Sequence, residues 1–103
     1  MQTLHYRFPA TRTPARAVHI GVVASGDLEI LLEPSDTTPG EAVVRVRTSV
    51  DGFDTVWREI LTRFFDRFPV AGRWELNDSG ATPGVVTLRM HQAAEHADDG
   101  GQP

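Results

Sequence analysis

The chain has 103 residues, 40 % of them hydrophobic, and 14 acidic against 10 basic side chains give it a net charge of −4. That length suits one compact domain, and the charge offers no global attraction to nucleic acid or to an anionic membrane. With no cysteine, disulfide scaffolds, Cys-ligated zinc, iron–sulfur clusters and thiol nucleophiles are excluded, and any thiol chemistry must come from an attached group.

The opening residues Met1–Arg7 lack the apolar run of a signal peptide, and no stretch approaches the ~18–20 apolar residues that span a bilayer. A cytoplasmic protein without direct membrane contact is expected. Leu4, Tyr6 and Phe8 alternate with Thr3, His5 and Arg7, as in a strand with one buried face. Pro9–Pro14 reads as a connecting loop. Val18, Ile20 and Val22 form the next alternating set, followed by Leu28, Ile30 and Leu32. If these two sets share a buried face of an antiparallel pair, residues of like facing must stand opposite each other. That parity pairs Val22 with Ile30 and Ile20 with Leu32, leaving Ser25-Gly26-Asp27 as the loop and Ser25 at an exposed hairpin tip. After a Pro/Thr/Gly-rich loop over 34–40, Ala42, Val44 and Val46 oppose Val43, Arg45 and Arg47 in a fourth strand.

Phe53, Val56, Trp57, Ile60, Leu61, Phe64, Phe65 and Phe68 follow helical spacing for about four turns. Asp51 is the expected N-cap, Asp54 suits the positive end of the helix dipole, and Pro69 ends the run. The aromatic stripe reads as core material. Trp74 and Leu76 mark a short strand, Asn77–Gly80 a turn, and Thr82-Pro83 an N-cap with proline in the first helical position. Val86, Met90, Ala93 and Ala97 share a helical stripe, although Val85–Leu88 would also suit a strand. The order β-β-β-β-α-β-α predicts an α+β domain over 1–97, a mostly antiparallel sheet of about five strands with two helices on one face. Residues 98–103 are expected to form a flexible tail.

The residue types that carry chemistry do not assemble well. His91 and His96 are five apart, not the i, i+4 spacing of a helical metal pair, and His5 and His19 stand on solvent-side strand positions. Ser25, His19 and Asp27 have the composition of a hydrolase triad, but His19 is six positions back along the strand from the serine, about 20 Å at the usual rise. Nor does a helix N-terminus stand behind Ser25 to supply oxyanion donors. Arg45, Arg47, Arg58, Arg63 and Arg67 read as solvated faces paired with nearby carboxylates rather than as a phosphate site. Gly21, Gly26 and Gly40 form no phosphate-cradling loop before a helix. What remains is an exposed serine. Ser-Gly-Asp is good turn chemistry, but a small, accessible serine on a rigid hairpin, flanked by glycine, is also what a modifying enzyme needs.

The segment Gly21-Val22-Val23-Ala24-Ser25-Gly26-Asp27-Leu28-Glu29-Ile30-Leu31 resembles the modification site of the acyl carrier (delta) subunits of malonate decarboxylase. Leu4-His5-Tyr6-Arg7-Phe8 is similar to the opening of that family, as are Asn77-Asp78, Gly80–Val86 and Leu88-Arg89. The resemblance spans roughly residues 2–95. It implies that Ser25 carries 2'-(5''-triphosphoribosyl)-3'-dephospho-coenzyme A through a phosphodiester bond, and that the thiol of this phosphopantetheine-like arm bears acetyl and malonyl groups in turn. It further implies a non-catalytic carrier in malonate catabolism. Its partners would be acyltransferase (malonyl transferase) and decarboxylase subunits, together with the prosthetic-group transferase. Gly26, Asp27 and Glu29, beside the serine, are candidates for partner recognition, the two carboxylates facing a basic surface. A non-catalytic assembly subunit, a serine hydrolase and the acyl carrier of citrate lyase are the competing readings. The citrate lyase serine segment lacks Ser-Gly-Asp-Leu-Glu.

Overall fold

The computed structural model describes residues 1–35 and 39–98. Alternating side chains build β1 (Gln2–Pro9), β2 (Val18–Ile20), β3 (Leu28–Glu33), β4 (Glu41–Thr48) and β5 (Gly72–Asp78), with α1 (Asp54–Arg67) between β4 and β5 and α2 (Pro83–Asp98) last. The expected α+β class and element order hold. The sheet runs β1-β4-β5-β3-β2, antiparallel throughout except for the β4–β5 pair. Parallel neighbours need a crossover, and α1 provides it.

Period-two patterning fixes which face is buried. Tyr6, Val44, Trp74, Leu32 and Val18 are mutual partners across all five strands and face the helices. On the opposite face, Arg45 pairs with Glu75 (2.5 Å) and Arg73 with Glu33 (2.8 Å). Of the other arginines expected to pair with carboxylates, Arg63 bonds Glu59 (2.7 Å), whereas Arg58 lies over the Tyr6 ring and Arg67 over that of Phe68. Trp74 lies at the centre of the core, edge-on to Phe65 (5.3 Å) and Phe64 (5.7 Å). Its Nε1 donates to Val70 O at 3.0 Å, which satisfies the one polar atom that its burial would otherwise strand.

The helix ends differ from expectation. α1 begins at Asp54 with Phe53 as its N-cap and no side-chain cap, whereas Asp51 approaches the N-terminal amino group of Met1 at 3.6 Å. The Tyr6 hydroxyl instead fixes the start of α1 by donating to Asp54. Burial first, and this hydrogen bond second, raise the Tyr6 pKa well above the ordinary phenol value. Phe53 and Val56, expected in the core, are 48 % and 39 % exposed. They line a cleft of about 400 Å³ between α1 and the β5–α2 turn. Phe53 and Val56 face this cleft rather than the sheet, whereas Trp57, in the same first turn, is buried. Thr82 caps α2 as expected, its Oγ1 accepting from Val85 N at 3.3 Å, and Val85–Leu88 are helical rather than extended. α2 includes Asp98, one residue into the expected tail; 99–103 lie outside the described residues, as do 36–38 of the expected loop.

The segment between β1 and β2 has to cross from one sheet edge to the other. It does so at one end of the sheet, where Ala10 N donates to Gly40 O, Thr11 N and Arg12 N to Pro69 O, and Ala15 N to Ala97 O. The opposite end, where β4 and β5 finish and β3 begins, is left for the segment that carries Ser25.

Candidate functional site

Ser25 is exposed in segment 21–27, which joins β2 to β3. The parity expected for this pair is right, but the register is slipped by two residues: Ile20 pairs with Ile30 and Val18 with Leu32. Val22 leaves the ladder and is 55 % exposed, beside Val23 at 64 %. The cause lies at Gly21, whose φ is +76° and whose backbone passes so close to β3 that a Cβ there would lie 2.0 Å from Leu28 O. That conformation turns the chain out of the sheet before Val22 can pair. Ser25 therefore stands on a wider loop rather than at a tight hairpin tip.

The loop is nevertheless held along its length. Ala24 N donates to Val22 O (3.1 Å) and Asp27 N to Ala24 O (2.9 Å). Gly26 N donates to Ser79 O (2.7 Å), and Ser79 N to Asp27 O (3.0 Å), joining the loop to the β5–α2 turn. Gly26 has φ +78°, with open space where a Cβ would stand.

Both candidate carboxylates are engaged within the chain. Asp27 Oδ1 accepts from Leu28 N at 2.7 Å and from Arg89 Nε at 3.0 Å, while Oδ2 accepts from Arg89 Nη2 at 2.9 Å. The Arg89 hydrogen bond, followed by that of Leu28 N, holds the Asp27 carboxyl below the usual carboxylate range. The same pairing raises the Arg89 pKa. Glu29 accepts from Asn77 Nδ2 at 2.9 Å and pairs with His19 Nε2 at 2.9 Å.

The structure thus gathers Ser25, Gly26 and Asp27 with Ser79 and Arg89. The first three were legible in the sequence. Arg89 lies 62 positions from Asp27, and nothing local to either residue signals the pairing. His19 and Asp27, the would-be triad partners, are bonded to Glu29 and Arg89. His91 packs against the rings of Phe68 (4.8 Å) and Phe64 (5.9 Å). Among the described residues, no cluster of His, Asp or Glu suits a metal ion, and no helix is long and apolar enough to cross a membrane.

Residues 15–97 match the family described as malonate decarboxylase delta subunit (MdcD). The chain is 48 % identical to the malonate decarboxylase acyl carrier protein of Stenotrophomonas maltophilia (strain R551-3), covering 100 % of both chains. It is 45 % identical to that of Pseudomonas fluorescens (strain SBW25) over 92 % of this chain and 95 % of the relative. Among solved structures, a chain of a Pseudomonas malonate decarboxylase hetero-tetramer in complex with malonate superposes with a TM-score of 0.87 at 43 % identity, over 94 % of this chain and 99 % of that one. A family match over residues 15–97 and a sequence shared along the whole chain with such a carrier place this protein in the malonate decarboxylase acyl carrier (delta subunit) family.

Proposed function

We propose that this acyl carrier subunit of malonate decarboxylase is modified at Ser25 with the phosphoribosyl-dephospho-coenzyme A group of 2'-(5''-triphosphoribosyl)-3'-dephospho-coenzyme A. The observation that carries the reading is the exposure of Ser25 on a loop whose neighbouring backbone is bonded on both sides of it. The residues fit such a group: a hydroxyl suits a phosphodiester, and the open space at Gly26 leaves room beside it. In attachment, the Ser25 hydroxyl oxygen forms the new bond to the α-phosphorus. The bond to pyrophosphate breaks, and the hydroxyl proton passes to a base of the transferase.

When bound, the group supplies a thiol that bears acetyl and malonyl as thioesters. A thioester carbonyl delocalises the carbanion left by departing carbon dioxide, which free malonate dianion does poorly. Tethering also keeps the substrate at high effective concentration for the acyltransferase and decarboxylase subunits. The carrier breaks no bond itself. In support, His19 and Asp27, the side chains near Ser25 in type to activate it, are committed to Glu29 and Arg89. Gly26 and Asp27 serve recognition through the loop shape they hold, Glu29 does so from the adjoining strand β3, and the complex works in the cytoplasm.

The test is Ser25→Ala in the assembled complex with the prosthetic-group transferase present. The variant should assemble and fail to decarboxylate malonate. Full activity in an assembled Ser25→Ala complex would overturn the reading in favour of an assembly subunit.

A further inference from the structure

A serine offered to a modifying enzyme from a loop must be held in one shape, because an unanchored loop samples many. Segment 21–27 has two stems, Gly21 leaving β2 and Asp27 entering β3, and one guanidinium bonds the second and lies beside the first. Arg89 projects from within α2, a rigid element, and delivers two parallel hydrogen bonds to the Asp27 carboxylate at 3.0 and 2.9 Å. Its Nε lies 3.4 Å from the point where a Gly21 Cβ would stand, and its remaining nitrogen donates to Gln92 Oε1 at 3.1 Å. A solvent-exposed ion pair between flexible side chains would contribute little. This pair differs: both side chains are largely covered, at 27 % and 20 % exposure. The carboxylate is further fixed by Leu28 N, and the planar fork matches it in two-point geometry. An Asp27 so occupied has little charge left for a basic partner surface.

We infer that Arg89 is a positioning residue for the modification of Ser25: through Asp27 it holds the loop in the shape that the prosthetic-group transferase accepts. This rests on the Ser25 reading above.

The test is a double-mutant cycle on the full chain, with the transferase and 2'-(5''-triphosphoribosyl)-3'-dephospho-coenzyme A supplied and product followed by intact mass. Asp27→Asn and Arg89→Gln should each lower kcat/KM for modification about tenfold, and the double variant by no more than about tenfold, because both remove one interaction. Arg89→Lys should fall between parent and Arg89→Gln, since an ammonium keeps the charge and loses the fork. An unchanged rate in Arg89→Gln would overturn the inference. So would single losses that multiply to about a hundredfold in the double variant, the signature of an Asp27 read directly by the partner. If Arg89→Gln lowers the thermal midpoint enough to unfold the chain, Arg89→Lys on the parent and on the Asp27→Asn background carries the comparison. It should slow the parent and leave the Asp27→Asn chain unaffected; equal slowing in both would overturn the inference. Failure of the Ser25 reading is distinct: the parent stays unmodified, or Ser25→Ala is modified as readily as the parent.

Discussion

Thr48 and Asp78 meet inside the protein at the ends of the parallel strands β4 and β5, where Thr48 Oγ1 donates to Asp78 Oδ2 at 2.8 Å. Both side chains are buried, and Asp78 Oδ1 accepts from Ala81 N at 2.9 Å. The pair fixes the β5–α2 turn, whose Ser79 backbone bonds Gly26 and Asp27. Two buried polar residues at this end of an otherwise apolar face therefore serve the loop that carries Ser25. Thr48→Val keeps the shape and leaves the buried carboxylate short of a donor, which costs about 1–3 kcal/mol. Urea denaturation should show the midpoint falling with an unchanged slope; an unchanged midpoint would remove the pair from this role.

Gly21 and Gly26 both have positive φ, yet they should respond differently to alanine. At Gly26 the added methyl meets open space, so Gly26→Ala costs only the left-handed conformation, about 1–2 kcal/mol. At Gly21 the methyl would stand 2.0 Å from Leu28 O, a clash with backbone that only a shift of β2 against β3 can relieve. Thermal unfolding of the two variants should place Gly21→Ala well below Gly26→Ala. Equal midpoints would contradict the close approach.

The lowered pKa of Asp27 fixes the sign of a pH effect. A carboxyl whose folded pKa is depressed stabilises the fold above its unfolded pKa, and the contribution is lost as pH falls through the folded value. The loop anchor should thus be intact at neutral pH and released only in acid, below the usual carboxylate range, as Arg89 loses its ionised partner. Amide exchange or NMR shifts of Gly26 and Leu28 would report a transition there, and it should vanish in Asp27→Asn. A transition near neutrality would assign control to another group.

Trp74 carries much of the packing between sheet and helices, being 1 % exposed and in edge contact with Phe64 and Phe65. Trp74→Ala should cost about 3–5 kcal/mol. Calorimetry would register this as a large fall in midpoint, and a loss below about 1 kcal/mol would mean that the cavity collapses without penalty.

What the sequence made legible was what short-range periodicity dictates. Period-two alternation placed Tyr6, Val44, Trp74, Leu32 and Val18 on one face before any strand order was known. Helical spacing predicts α1, but it does not separate the residues that reach the sheet from Phe53 and Val56, which face the cleft. Parity gave the facing of β2 against β3 without the register, because a shift of two residues keeps every side chain on its face. Only the approach of Gly21 to Leu28, a tertiary contact, decides where the ladder stops. Ser25 was visible as an exposed residue in a characteristic segment. Its supports, Ser79 and Arg89, arrive from the far half of the chain, where propensity and spacing carry no information about them.

The central claim is tested most directly by intact mass and peptide mapping of the chain after co-expression with the prosthetic-group transferase. The account predicts an added mass equal to one phosphoribosyl-dephospho-coenzyme A group, located on the peptide that contains Ser25 and absent from Ser25→Ala. An unmodified chain, with a control carrier modified in parallel, would contradict it, as would the same added mass on another residue.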